Sequence, residues 1–252
     1  MLNSYSEKKK KTALVTGASG VIGRECAIAL ARECDFIVLN YCSDKKGAED
    51  TLRSVREIGC EGICVQGDIS DFNQAKALFD EAQRVCGGID IAILNAGISL
   101  NKLVYDTTAE EFSRVISVNL TGVFNTAKLA SEQMLSRGWG RIIAVSSMWA
   151  KCGAACEAAY AASKGGVEAF VKSLAKELAA SNITVNCVAP GAVATPMTLS
   201  LGEETVSLLT EDIPQRRLCE PQEVAHAVLF LASEKAAYIT GAVLAMNGGL
   251  VT

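Results

Sequence analysis

Thr12-Ala13-Leu14-Val15-Thr16-Gly17-Ala18-Ser19-Gly20-Val21-Ile22-Gly23 decides the fold. A short apolar run enters a turn built on glycines. Helical spacing then takes over from Gly20 to Glu33, with Ile22, Cys26, Ala29 and Leu30 on one side. A strand that passes through glycines into a helix opens an α/β unit. Glycines at such a turn let the backbone come close to a pyrophosphate, and the helix start supplies N–H groups and the positive end of its dipole. A tight turn that binds nothing is the competing reading. The place of the motif, first strand to first helix, weighs against it.

The same alternation continues outward. Apolar runs at 36–39, 62–65, 89–94, 141–145, 183–188 and 242–246 read as strands. They are nearly continuous rather than alternating, which points to strands buried on both faces of a parallel sheet. Helical periodicity fills 45–58, 72–85, 110–137, 158–180 and 221–233, the last opened by Pro221. The expected fold is α/β: one doubly wound parallel sheet of about seven strands, with helices on both faces and right-handed crossovers. A polar arm at 1–11 precedes a single domain at 12–252. All four prolines lie beyond residue 189, and 195–217 reads as the one long irregular piece, a candidate substrate lid at a strand's C-terminal end.

Composition narrows the function. Half of the 252 residues are hydrophobic and 21% are charged, which supports a large core and excludes a disordered chain. The net charge of −4 offers no field for nucleic acid or an anionic membrane; the basic run Lys8–Lys11 reads as a solvated arm. One histidine, His226 on an apolar helix, excludes a multi-histidine metal site, and no metal is expected. The ten cysteines include no Cys-x-x-Cys pair and read as small packing residues. Without a signal-like or membrane-length apolar run, a reduced, cytoplasmic protein is expected.

The sharpest chemical signal is Tyr160-Ala161-Ala162-Ser163-Lys164. Residues four apart share a helix face, so phenol and ammonium are neighbours. A nearby cation favours phenolate and should lower the tyrosine pKa, and such a tyrosine exchanges a proton with a carbonyl oxygen. Two ordinary helix residues are the alternative.

Taken together these residues resemble the short-chain dehydrogenase/reductase family along essentially the whole chain. Its first motif, Thr-Gly-x-x-x-Gly-x-Gly, is met by Thr16, Gly17 and Gly23, with Val21 at the middle glycine and Gly20 one residue early. A valine there would crowd a phosphate and tolerates positive φ poorly. The resemblance implies a Rossmann-type fold and a nicotinamide cofactor held by Gly17, Ser19, Gly20, Ile22, Asn40, Ser43, Asp68, Ile69, Asn95, Ala96, Gly97, Tyr160, Lys164, Pro190, Gly191, Val193 and Thr195. It also implies a catalytic set. Ser147, thirteen positions before Tyr160, would polarise the substrate oxygen, and Asn119 would hold a water linking Lys164 to solvent. Asn40 stands where an NAD-preferring relative carries an acid, and Ser43, Lys45 and Lys46 lie close enough to meet a phosphate, so NADP is favoured. Asp44 could turn that choice toward NAD.

Within the family the chain looks most like 3-oxoacyl-[acyl-carrier-protein] reductases, through Asn40-Tyr41, the segment 190–197 and Asn247-Gly248-Gly249. That implies a small-molecule or acyl-carrier-bound carbonyl substrate, a place in fatty acid biosynthesis and a homotetramer. Ser146-Ser147-Met148-Trp149 with Gly153-Ala154-Ala155-Cys156-Glu157 is also similar to a subgroup that includes the reductase of 5-aminopentanone-modified elongation factor P. An NAD-linked sugar or steroid alcohol dehydrogenase and a non-catalytic nucleotide-binding sensor stay open. Cys152 and Cys156 read as packing residues or as a redox pair; Glu157 reads as a contact to a cationic substrate group or as a helix cap.

Overall fold

A computed structural model describes residues 11–200 and 202–251. Of the expected arm only Lys11 falls within that range. All seven apolar runs form strands: β1 (Thr12–Val15), β2 (Phe36–Tyr41), β3 (Glu61–Gln66), β4 (Ile91–Leu94), β5 (Gly140–Val145), β6 (Ile183–Pro190) and β7 (Val243–Met246). They make one parallel sheet in the order β3-β2-β1-β4-β5-β6-β7. The order reverses between β1 and β4, so the loops leaving these two strands diverge and open a crevice at the carboxyl edge.

The helices are α1 (Val21–Leu30), α2 (Lys45–Glu57), α3 (Phe72–Cys86), α4 (Ala109–Ile116), α5 (Gly122–Arg137), α6 (Trp149–Cys152), α7 (Ala158–Leu178), α8 (Pro196–Leu199), α9 (Glu203–Asp212) and α10 (Pro221–Ala232). Along each central strand, side chains alternate between two apolar layers. Ala13, Val15, Ile91, Ile93, Ile143 and Val145 pack with α1, α2 and α10. Leu14, Ala92, Leu94, Ile142 and Ala144 pack with α3, α5 and α7. Both faces are covered, which is why the strands read as unbroken apolar runs.

Two expectations need correction. The spacing at 110–137 suggests one helix, but a π-turn at Ser117–Thr121 separates α4 from α5. Fully buried Asn119 sits in that turn, and single π-turns inside α-helices, rare overall, occur frequently at functional sites. The stretch 195–217 is not irregular: it carries α8 and α9. Thr195 Oγ1 accepts from Thr198 N at 3.4 Å, Pro196 takes the first position of α8, and Glu203 and Glu204 begin α9, where the dipole favours acids.

The opposite, amino edge of the sheet is cross-tied. Buried Asp90 accepts from Thr12 N at 3.0 Å and from Arg137 Nε and Nη2, each at 2.8 Å. The fully buried Arg141 guanidinium lies 4.4 Å from the Trp139 ring and donates to Glu234, which also takes Lys11.

Candidate active site

A cleft of about 640 Å³ runs along the carboxyl edge. Every residue expected to hold the cofactor lines it, as do Ser147, Tyr160 and Lys164; Asn119 lies behind its wall. The glycine loop at one end is fixed by β4. Asn95 Nδ2 donates to Thr16 O at 3.0 Å and Gly17 O at 3.2 Å, while the amides of Asn95 and Ala96 donate to Thr16 Oγ1. A Cβ on Gly23 would lie 2.3 Å from Gly17 O, so only glycine fits there. Val21 lines the cleft as the first residue of α1 and is not among the residues of positive φ. The strain expected of a valine is therefore absent, and Val21 is simply part of the cleft lining.

At the other end the serine, tyrosine and lysine converge. Ser147 leaves β5 and Tyr160 stands in the first turn of α7. Lys164 follows one turn later, fully enclosed, its Nζ donating to Val145 O at 2.7 Å and lying 5.6 Å from the Tyr160 ring centre. Burial pushes the phenol up to about 12; a hydrogen bond with Ser147 opposes this and the Glu157 carboxylate adds to it. The sequence expectation of a lowered tyrosine pKa is overturned. Burial sets the direction, and it also pushes the Lys164 ammonium down to about 8. Tyr160 thus keeps its proton at neutral pH and is set to donate it to an oxygen that gains negative charge.

Asn119 holds this end together. Its Oδ1 accepts from Ile98 N at 2.8 Å; its Nδ2 donates to Ile98 O at 2.8 Å and to Ser163 Oγ at 3.0 Å. Ser163 Oγ in turn donates to Tyr160 O at 2.7 Å. The side chain therefore braces the loop after β4 against the tyrosine helix.

The two expected lysines are not part of the cleft. Lys45 and Lys46 are exposed on the first turn of α2, neither lines the cleft, and Lys45 pairs with Glu49 at 3.6 Å. Asn40 lines the cleft but is only 2% exposed; its amide donates to Gly67 O at 3.0 Å and Val65 O at 3.4 Å, tying β2 to the end of β3. Asp44 lines the cleft and caps α2, accepting from Gly47 N at 2.9 Å. Sequence reading missed Arg114, which reaches from α4 into the cleft. His226 is exposed on α10, away from the cleft, and all ten cysteines are free.

The family model described as enoyl-(acyl carrier protein) reductase matches residues 17–251. The chain belongs to the short-chain dehydrogenase/reductase family. Among members of this family, it is 39% identical over 243 residues to 3-oxoacyl-[acyl-carrier-protein] reductase FabG of Staphylococcus aureus, covering 96% of this chain and 99% of that one. It is 38% identical over 241 residues to nodulation protein G of Azospirillum brasilense, covering 96% and 98%. A crystal structure from Sinorhizobium meliloti, described as a short-chain alcohol dehydrogenase, matches with a TM-score of 0.91 at 32% identity over 95% and 96% of the two chains. One from Agrobacterium tumefaciens, described as a gluconate dehydrogenase, matches with a TM-score of 0.91 at 29% identity over 95% of each chain. This short-chain dehydrogenase/reductase is therefore an oxidoreductase of carbonyl and alcohol groups, which sets aside the sensor reading.

The cleft fits the family's dinucleotide. The glycine wall at Gly17 and Gly23 leaves no room for side chains, and the start of α1 offers amides without intrahelical partners. Ser43 and Asp68 reach the same cleft from two further strand ends.

Proposed function

We propose that this reductase acts on the keto group of a 3-oxoacyl thioester borne by an acyl carrier protein, in the cytoplasm, with NADPH as reductant. One observation carries the reading: the Tyr160 phenol, hydrogen-bonded to Ser147, stands at the end of a dinucleotide-sized cleft. The likeness to the Staphylococcus aureus reductase over 96% of the chain supports the substrate class. The bound dinucleotide supplies hydride. Ser147 holds the substrate oxygen by its hydroxyl, and Tyr160 passes its proton to that oxygen. Lys164 supports the transfer from below, and Asn119 holds the loop after β4 against the tyrosine helix.

Asn40, a neutral side chain at the end of β2, and Ser43, which lines the same cleft, support NADPH. The Asp44 carboxylate, next to Ser43, caps α2 by accepting from Gly47 N. A homotetramer is proposed as well. Phe112 and Phe124 are 44% and 46% exposed on α4 and α5, and edge strand β7 leaves Leu244 39% exposed. Light scattering giving a monomer at working concentration would overturn that assembly.

A second reading rests on Glu157. Its carboxylate accepts from Ser99 Oγ at 3.1 Å, makes no ion pair among the described residues, and adds to the field at the Tyr160 phenol. Burial holds its pKa up against that hydrogen bond. A ketone carrying an ammonium group, such as the 5-aminopentanone modification of elongation factor P, would complete it. NADPH oxidation with acetoacetyl thioesters and with an aminoketone peptide separates the readings. Turnover of sugars or steroids alone, with NAD, would refute both.

A further inference from the structure

The helix that carries the tyrosine and the lysine carries a third polar group at the same spacing. Tyr160, Lys164 and Glu168 follow one another at intervals of four along α7 and share one side of it. Glu168 is partly buried, and its Oε1 accepts from Ser146 Oγ at 3.0 Å. Among the described residues Ser146 is its one side-chain partner. Ser146 is 3% exposed, follows the last residue of β5 and directly precedes Ser147. Its hydroxyl also lies 3.4 Å from Lys164 O, so it faces α7. On the other side, Ser146 N donates to Val188 O and Met148 N to Pro190 O, each at 2.8 Å, which fixes this strand end to β6.

Two successive residues at the end of β5 are therefore fastened to α7. Val145 is held through its carbonyl by Lys164 Nζ at 2.7 Å, and Ser146 through its hydroxyl by Glu168. At about 1.5 Å of rise per residue, the two ties start from points about 6 Å apart along the helix axis. One tie sets a distance and leaves the helix free to slide or tilt about it. The second removes that freedom. We propose that Glu168 is a positioning residue for the proton transfer: by holding Ser146 it keeps α7 in register with the end of β5, so that the Tyr160 and Ser147 hydroxyls converge on one substrate oxygen. Glu168 does not line the cleft, so it acts through Ser146 and not on the reacting atoms. The contact calls for an acceptor oxygen rather than a charge.

The test compares kcat and the NADPH dissociation constant, read by nicotinamide fluorescence, in the parent, Glu168→Ala, Glu168→Gln, Ser146→Ala and the double alanine variant. Glu168→Ala should lower kcat about tenfold, a fraction of the roughly hundredfold that a misplacement of about 1 Å can cost. NADPH affinity should stay within about twofold of the parent, because its contacts lie outside this pair. Glu168→Gln keeps a carbonyl oxygen as acceptor and should bring kcat back to within about twofold of the parent. Ser146→Ala should reproduce the loss, and the double variant should be no slower than either single one, as expected of groups that act as a unit. Parental kcat in Glu168→Ala, a loss that glutamine does not restore, losses that multiply in the double variant, or a fall in NADPH affinity in step with kcat would each overturn the role. Rates are read with whichever carbonyl or alcohol compound the parent turns over, acetoacetyl thioester first. Inactivity toward the thioester alone would overturn the substrate proposed above, while the comparison at Glu168 is still decided on the compound accepted.

Discussion

Replacing Asn40 with aspartate is the change that cofactor logic would choose to turn a 2′-phosphate away. The structure gives it a larger effect on the fold. The Asn40 amide faces the carbonyl oxygens of Gly67 and Val65 from a site only 2% exposed. Aspartate keeps the shape, loses both donated hydrogens and sets an anion against two acceptors. Each lost bond is worth about 0.5–1.5 kcal/mol, and a buried group left unsatisfied adds about 1–3 kcal/mol. A destabilisation of about 2–4 kcal/mol follows at pH 8, or roughly 5–15 °C in Tm for a chain of this size. The pH dependence has a definite sign. The new carboxyl is neutral when protonated and then donates to Gly67 O, so its folded pKa lies above its unfolded one. The stability of the protonated form is present at low pH and lost as pH rises through the folded pKa. Urea unfolding of parent and variant without cofactor, at pH 5 and pH 8, reads the difference. A deficit below about 0.5 kcal/mol at pH 8, or one equal at both pH values, would refute the reasoning.

Tyr160→Phe should keep the fold and abolish turnover; near-parental kcat would end the proton-donor assignment. Gly23→Ala forces a Cβ to within 2.3 Å of Gly17 O, so stability should fall by about 1–3 kcal/mol and dinucleotide affinity with it, as unfolding and fluorescence titrations would show. Lys164 has a folded pKa of about 8 against an ordinary 10.5, so burying its charge penalises the fold fully below pH 8 and progressively less up to 10.5. Stability of the parent relative to Lys164→Met should therefore rise between pH 8 and 10, by up to about 3 kcal/mol, and a flat difference would contradict the burial. Replacing Lys45 and Lys46 together with alanine should change the NADPH dissociation constant less than about twofold, the scale of screened surface charge, because neither lines the cleft.

The sheet was legible because its strands are covered on both sides, and a two-sided burial leaves an unmistakable apolar run. The glycine loop, the serine, the tyrosine and the lysine were legible because their spacing is local and follows strand ends. What escaped was set by contacts distant in sequence. Arg114 meets Asp68 across 46 positions, and no periodicity signals that meeting. Asn40 was read by position alone; the register that sets it opposite Val65 decides where its amide points. The π-turn around Asn119 hides inside an apolar pattern that fits an uninterrupted helix. The helices at 196–199 and 203–212 did carry start signals, in Thr195-Pro196 and Glu203-Glu204, but their weak apolar faces concealed them.

The cross-ties at the amino edge of the sheet have a consequence for redesign. Asp90, Arg137, Arg141 and Glu234 fasten the starts of the strands, whereas the residues proposed to meet cofactor and substrate gather where the strands end. Stability and specificity are thus written on opposite rims of one sheet. A library that varies the loops at 149–157 and 193–213 leaves those fasteners untouched, so new substrate preferences can be sought there while the thermal tolerance set by the far rim is retained.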